Sequence, residues 1–257
     1  MNTKKILTPV LGLILTVLGV VLTCLTRPAA LAEAATVAQT IYFALSLIVV
    51  IAGVVTLIVG LVPQRRHSDT KALTMAAMFA ALCYIGFTFF KIDIPVGSEK
   101  TAFHLGNVFC VLAALFVGGL WGGMAGAVGM TIADLTTGYI TSAPKTFLLK
   151  LCIGLITGLV AHKIFHLGQE GHSKRYTLGA TVVSCIAGMA FNVVADPLVG
   201  YFYKMYVLGI PQEIANAWAK MGAITTLVNA IVAVVAASVL YTALRPALKK
   251  SNMLPTL

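Results

Sequence analysis

Eight long apolar runs limit what this chain can fold into. A helix needs about 20 mainly apolar residues to cross the hydrocarbon core of a bilayer, and five of the runs are long enough alone. Only helices and closed barrels satisfy the backbone in lipid, and the Ala, Gly and Leu content favours helices. The sequence therefore predicts an all-α integral membrane protein with eight spans, at Ile6–Leu25, Ile41–Val62, Ala72–Phe90, Leu105–Val117, Leu120–Leu135, Phe147–Ala161, Thr177–Val194 and Ala219–Leu244.

Composition supports a membrane protein. Hydrophobic residues make up 59% of the chain and charged residues 10%, whereas soluble domains carry about 25% charged residues. We interpret the three shorter runs as spans whose ends carry polar residues. The first run follows Lys4 and Lys5, as in a signal peptide, but it lacks a convincing cleavage site, so we expect a retained helix.

The basic residues predict the topology. Placing both termini in the cytoplasm puts 11 basic and two acidic residues inside, and leaves seven basic and six acidic residues outside. The net charge is then +9 inside and +1 outside, which sums to the formal +10 of the chain. This asymmetry follows the positive-inside rule and predicts a multi-pass protein of the cell membrane, in contact with lipid. Scattered charges of this kind argue against nucleic-acid binding.

The chain divides into four parts by composition. Residues 1–62 form an expected transmembrane hairpin with few polar features, and residues 63–71 form a cytoplasmic linker. Residues 72–245 hold six of the predicted helices and all of the notable polar residues. Residues 246–257 form a cytoplasmic tail.

Two stripes of small residues indicate close helix packing. Gly118, Gly122 and Gly126 repeat at four-residue spacing, which lets membrane helices approach until their backbones touch. We interpret this stripe as intramolecular packing. A second stripe lies at the start of the third apolar run. Ala72, Ala76 and Ala80 repeat at four-residue spacing and form an alanine ridge, and Ala77 and Ala81 repeat at the same spacing beside it. From spacing alone, this ridge suits either internal packing or docking on another membrane protein.

Polar and ionisable residues at membrane depth are the candidate site. Such residues are costly in lipid and usually mark function, although ion pairs and helix caps are the structural alternative. Lys150 lies roughly 9 Å inside its helix, and Asp134 or Asp196 is its expected counter-charge. Most of the set falls at the outer ends of the helices: His104, Asn107, Asp134, Tyr139, Lys145, Lys150, Asn192 and Asp196, with Asn229 near the middle of the last helix.

Motifs for other functions are missing from the sequence. We find no HExxH, no GxSxG, and no helix with the several acids of an ion-coupled pump. We therefore expect no catalytic residues, no metal and no other cofactor. An outward-facing polar pocket suggests capture of a small polar molecule. The alternatives are a stand-alone secondary transporter or facilitator, a membrane enzyme, or an assembly protein.

Residues 72–245 resemble the substrate-binding S component of an energy-coupling factor (ECF) transporter of the riboflavin-type group. The resemblance lies in the alanine ridge, in DIPVGSEKTAFHLGN, and in LFVGGLWGGMAGAVGMTIADLTTGYITSAPKTFLLK. It implies a six-helix core that binds a vitamin at its outer face. It also implies that the alanine ridge docks on a membrane scaffold subunit that carries two ATPase subunits. The whole S component would then rotate in the membrane and release the vitamin inside the cell. The hairpin 1–62 departs from this pattern. Riboflavin, pantothenate, a pyridoxine-like compound and a thiamine precursor all fit the mixed pocket.

Overall fold

The computed structural model describes residues 70–97, 99–169 and 171–255, together with Leu15 and Leu18. Residues 1–67 and 68–257 belong to separate units, and the fold described below is that of the second. The expected hairpin 1–62 lies outside the described residues apart from those two leucines, and so does the linker 63–71 apart from its last two residues.

Six α-helices make up most of the described chain. They are α1 (Thr70–Thr88), α2 (Gly106–Val117), α3 (Gly119–Thr136), α4 (Ala143–Leu159), α5 (Lys174–Phe202) and α6 (Gln212–Lys250). A 3₁₀ turn at Ile140–Ser142 precedes α4, and π-helical turns at Val160–Ile164 and Tyr203–Val207 extend α4 and α5. The predominantly helical architecture agrees with the prediction.

Not every predicted run makes a full span. Among the described residues, four helical segments are long and apolar enough to cross a membrane: Thr70–Thr88, Ile140–Ile164, Lys174–Val207 and Gln212–Lys250. Helix α2 has 12 residues, or about 18 Å, against a hydrocarbon core of about 30 Å. It packs against α1, α3, α4 and α6 and is buried along nearly its whole length. A helix enclosed by protein need not match the bilayer thickness.

A β-hairpin between α1 and α2 adds to the predicted architecture. Strands β1 (Lys91–Val96) and β2 (Glu99–His104) are antiparallel, with Lys91 opposite His104 and Val96 opposite Glu99. Gly97 has a φ of +62°, which glycine adopts without steric cost. The hairpin packs on α6.

Glycines on two faces of α3 bring the neighbouring helices into backbone contact. A Cβ on Gly122 would overlap the backbone of Ala114 in α2. On another face, a Cβ on Gly154 of α4 would overlap the backbone of Gly123 in α3. The prediction that the glycine stripe serves packing within the protein is confirmed.

The alanine ridge does not face outward as expected. Ala72 and Ala76 are only 4% and 5% exposed, and the carbonyl of Ala80 packs against Gly129 of α3. The small residues that α1 exposes are Ala77 and Ala81. Four-residue spacing shows that alanines share a helix face, but it does not show which face points inward. The expectation of an exposed Ala72–Ala76–Ala80 ridge is therefore wrong.

The predicted tail begins as helix. Helix α6 continues through Pro246 to Lys250, after which Asn252 turns the chain with a φ of +54°. The Met253 amide donates to the Leu248 carbonyl over 3.0 Å, which closes the end of the helix.

Candidate functional site

One cavity collects the polar residues that the sequence singled out. It lies where the β-hairpin meets helices α2 to α6 and contains about 540 Å³, its open mouth included. All nine candidates line it: His104, Asn107, Asp134, Tyr139, Lys145, Lys150, Asn192, Asp196 and Asn229.

A buried ion pair joins α4 to α5. The Lys145 ammonium lies 2.6 Å from Asp196 Oδ1, and the Thr226 hydroxyl donates to Asp196 Oδ2 over 2.9 Å. Lys145 is only 7% exposed. We expected Lys150 to pair with Asp196 or Asp134, and that pairing is not observed. Lys150 lies about 7 Å further along α4, deeper in the bundle than the Lys145–Asp196 pair.

Lys150 and Asp134 also line the cavity, and neither forms an ion pair with a described residue. Lys150 is 6% exposed, and its ammonium forms no ion pair or hydrogen bond with a described residue. Asp134 contacts the Thr146 hydroxyl, but its Oδ2 is buried without a hydrogen-bond partner. Lys150 and Asp134 thus line one cavity without an ion pair between them.

Three further buried polar atoms in the cavity lack a partner. They are Asn107 Oδ1, Asn192 Oδ1 and His104 Nδ1. Burial, reinforced by the charge of Lys150, lowers the pKa of His104 well below its ordinary value, so its ring is neutral at physiological pH. More than 90% of buried polar groups in proteins are hydrogen-bonded. This set indicates a place that a polar ligand completes.

Trp218 forms an aromatic wall that the sequence analysis missed. The Lys145 and Lys204 ammonium groups lie 4.6 Å and 4.8 Å from its ring centroid, within the range of cation–π attraction. Its indole N–H donates to the Lys100 carbonyl over 3.3 Å. The presence of a tryptophan in the alanine-rich start of the last helix could have indicated this residue as part of the site.

The other lining residues were not singled out one by one in the sequence. Threonine, serine, alanine and methionine are frequent in membrane helices, where most serve packing. Only their position in the fold identifies them as lining residues: Phe87, Lys100, Thr101, Ala102, Met130, Ser142, Thr146, Thr225 and Thr226.

Asn229 anchors the hairpin rather than presenting a free amide. Its Nδ2 donates to the Ala102 carbonyl and its Oδ1 accepts from the His104 amide, each over 3.0 Å. One turn earlier on α6, the Thr225 and Thr101 hydroxyls are hydrogen-bonded over 3.0 Å. This face of α6 therefore holds β2 against the cavity.

A second contact ties the hairpin to the loop after α3. Asp93 accepts hydrogen bonds from Tyr139 at 2.8 Å, Lys91 at 3.2 Å and Lys100 at 3.3 Å. Burial alone would raise the pKa of Asp93, but the hydrogen bonds from Tyr139 and the lysines outweigh it and lower that pKa. Asp93 is therefore ionised at neutral pH and holds the mouth of the cavity together.

Comparison with known proteins gives one match. A family model described as the S component of an ECF-type riboflavin transporter matches residues 67–246. The matched range spans well over half of the chain and includes every residue that lines the cavity. No curated protein matches the chain, and no solved structure does.

Proposed function

Because the chain belongs to the S-component family of ECF-type riboflavin transporters, we propose that it captures a vitamin or related micronutrient for ATP-driven uptake. Membership makes the chain a vitamin-type substrate-binding subunit of a membrane transporter, not an enzyme. In the proposed assembly a membrane scaffold subunit and two ATPase subunits supply the driving force.

The observation that carries this proposal is the convergence of polar residues on one cavity. The residues come from β2 and from five different helices, yet they enclose one space. Several of their buried polar atoms lack partners. Buried groups of this kind cost stability unless something satisfies them, and a bound polar molecule would do so.

We place the cavity at the outer face. Lys145 lies near the start of α4 and Asp196 near the end of α5, so the opposite ends of these helices carry Lys163, Lys174 and Arg175. Because basic residues favour the cytoplasmic side, the cavity opens outward and both termini are cytoplasmic.

The exposed face of α1, which carries Ala77 and Ala81, is our candidate for docking on the scaffold subunit. Ala77 and Ala81 are exposed near the middle of this helix, about 15 Å and 9 Å along its axis from Phe87, which lines the cavity. Small residues at four-residue spacing allow a partner helix to approach closely. This arrangement separates capture of the substrate from contact with the partner.

The test is to identify what the protein holds. Purified full-length protein is denatured and the released small molecules are identified by mass spectrometry, with riboflavin, pantothenate, pyridoxine and thiamine precursors as standards. We expect one such compound, in near-stoichiometric amount, and uptake of it only by cells that also hold the scaffold and ATPases. Uptake without them would support a stand-alone transporter, and absence of any retained or bound compound would reject the proposal.

A further inference from the structure

We propose that a groove on the outside of the helix bundle binds one phospholipid with an anionic headgroup. The groove lies between the end of α5 and the start of α6, and it shares no lining residue with the polar cavity. An acyl chain lies along its apolar wall, and Lys220 and Asn216 hold the headgroup phosphate. The proposal does not depend on which substrate the cavity takes.

One face of each helix forms the groove. The lining residues recur at intervals of three and four, which places them on a common face of their helix: Val194, Pro197, Leu198 and Tyr201 on α5, and Asn216 and Ala219 on α6. The groove contains about 620 Å³, its open side included, and Val194 and Leu198 are 67% and 54% exposed. Both helices belong to segments that are apolar and long enough to cross a membrane. An exposed apolar surface of this kind is suited to contact with lipid.

Lys220 supplies a positive charge at the edge of the groove. It is exposed and follows Asn216 by four residues, so the two share a face of α6. Because helical side chains tilt toward the N-terminus of their helix, Lys220 leans toward Asn216. Its ammonium forms no ion pair or hydrogen bond with a described residue. Lysines near the ends of membrane helices extend their ammonium groups to the interface, where the lipid phosphates lie.

The charges around the groove favour an anionic lipid over a zwitterionic one. No acidic residue lines the groove. Asp196 is next to Pro197 in sequence, but it lines the cavity and is paired with Lys145. Glu213 lies about 10 Å before Lys220 along α6, which is about one Debye length at physiological salt. A zwitterionic headgroup would bring its own ammonium to Lys220, whereas phosphatidylglycerol brings only negative charge.

Trp218 can report on the groove without lining it. It precedes Ala219, which lines the groove. Its ring packs against Gly200, where a Cβ would overlap it, and Gly200 is next to Tyr201 of the groove. The chain has two tryptophans, so Trp121→Phe leaves Trp218 as the single indole. Brominated acyl chains quench tryptophan fluorescence on close approach, so quenching follows occupation of the groove.

The test compares two brominated lipids. Purified full-length Trp121→Phe protein is reconstituted without substrate into phosphatidylcholine vesicles that contain rising fractions of brominated phosphatidylglycerol or brominated phosphatidylcholine. We expect half-maximal quenching of Trp218 at an about fivefold lower fraction of the anionic lipid, since one lysine near the membrane surface provides a preference of this size. Equal curves would overturn the proposal, because the groove would then take bulk lipid without selection. Absence of quenching by either lipid would also overturn it, because a protein segment or a second copy would then cover the groove.

Variants in the same Trp121→Phe background test the assigned residues. Lys220→Gln should abolish the difference between the two lipids, and Lys220→Arg, which keeps the charge, should retain it. Ala219→Leu partly fills the groove and should reduce quenching by both lipids. Lys174→Gln is the matched control, since it removes an exposed lysine at the opposite end of α5 and should leave the preference unchanged. A preference that survives Lys220→Gln would overturn the headgroup site.

Discussion

Lys145 and Lys150 lie on one helix, yet only the first has a carboxylate partner. The sequence placed both lysines at the candidate site and ranked Lys150 as the paired one because it lies deeper. Depth along α4 can be read from residue spacing. Which of the two lysines lies beside Asp196 depends on how α5 packs against α4. Residue spacing within one helix does not show this packing.

The Lys145–Asp196 pair gives a prediction about stability. Lys145→Ala leaves the Asp196 carboxylate, whose side chain is 19% exposed, without its cation, and breaking a fully buried pair costs about 3–5 kcal/mol. We expect about 3 kcal/mol here, since Thr226 still donates to Asp196. Thermal unfolding of the purified protein in detergent measures the change.

The matched control removes both charges. The double variant Lys145→Ala with Asp196→Ala leaves no unpaired carboxylate, so it should be more stable than Lys145→Ala alone. A single variant with the wild-type Tm would show that the ion pair contributes little to the fold.

At the scale of the element, the β-hairpin is the part of the fold that sequence reasoning missed. The segment KIDIPVGSEKTAFH has weak alternation, a proline and several charges, so it reads as a loop. Its pairing is stabilised from outside the segment, since Asn229 of α6 satisfies two backbone groups of β2. Helices with long apolar runs were predictable because their signal is local.

The glycine faces of α3 give a second prediction. Gly122→Ala would force a methyl group into the backbone of Ala114, and overpacking of this kind costs about 1–3 kcal/mol. We expect a lower Tm in detergent and reduced yield of folded protein.

Gly179→Ala on α5 is the matched control. A Cβ at Gly179 meets nothing within 4 Å, and alanine is favoured over glycine inside a helix by about 1 kcal/mol. This variant should be as stable as the wild type or slightly more so. Equal destabilisation by both substitutions would contradict a packing role specific to α3.

For the whole molecule, the proposed functions use different surfaces. The cavity lies at one end of the bundle, and Ala77 and Ala81 lie near the middle of α1 on its exposed side. The positions of the polar residues predicted a cavity at one end, and the family resemblance placed docking on Ala72, Ala76 and Ala80. Ala72 and Ala76 are buried, and both alanine sets have the same spacing, so spacing alone could not show which set is exposed.

Ala77→Trp tests the docking face. A tryptophan there would hold a partner helix away, so we expect loss of ATP-dependent uptake with substrate affinity unchanged within about twofold. Val235→Trp, at a position of α6 that is 60% exposed, is the control and should transport normally. Normal uptake by Ala77→Trp would remove this face from the proposed docking site.

Ala76→Trp should have a different effect from Ala77→Trp. Ala76 is 5% exposed, so a tryptophan would overpack the core and lower the Tm instead of blocking a partner. Comparing the two neighbouring variants separates a defect of assembly from a defect of folding.

The glycine contacts also set the spacing of α2, α3 and α4. Where backbones touch, helix axes lie at the short end of the usual ~8–10 Å separation, so α2, α3 and α4 form a slender bundle. A body that must rotate within a bilayer displaces lipid in proportion to its cross-section. The same contacts that make the bundle intolerant of a single methyl group therefore reduce the viscous drag on any such rotation.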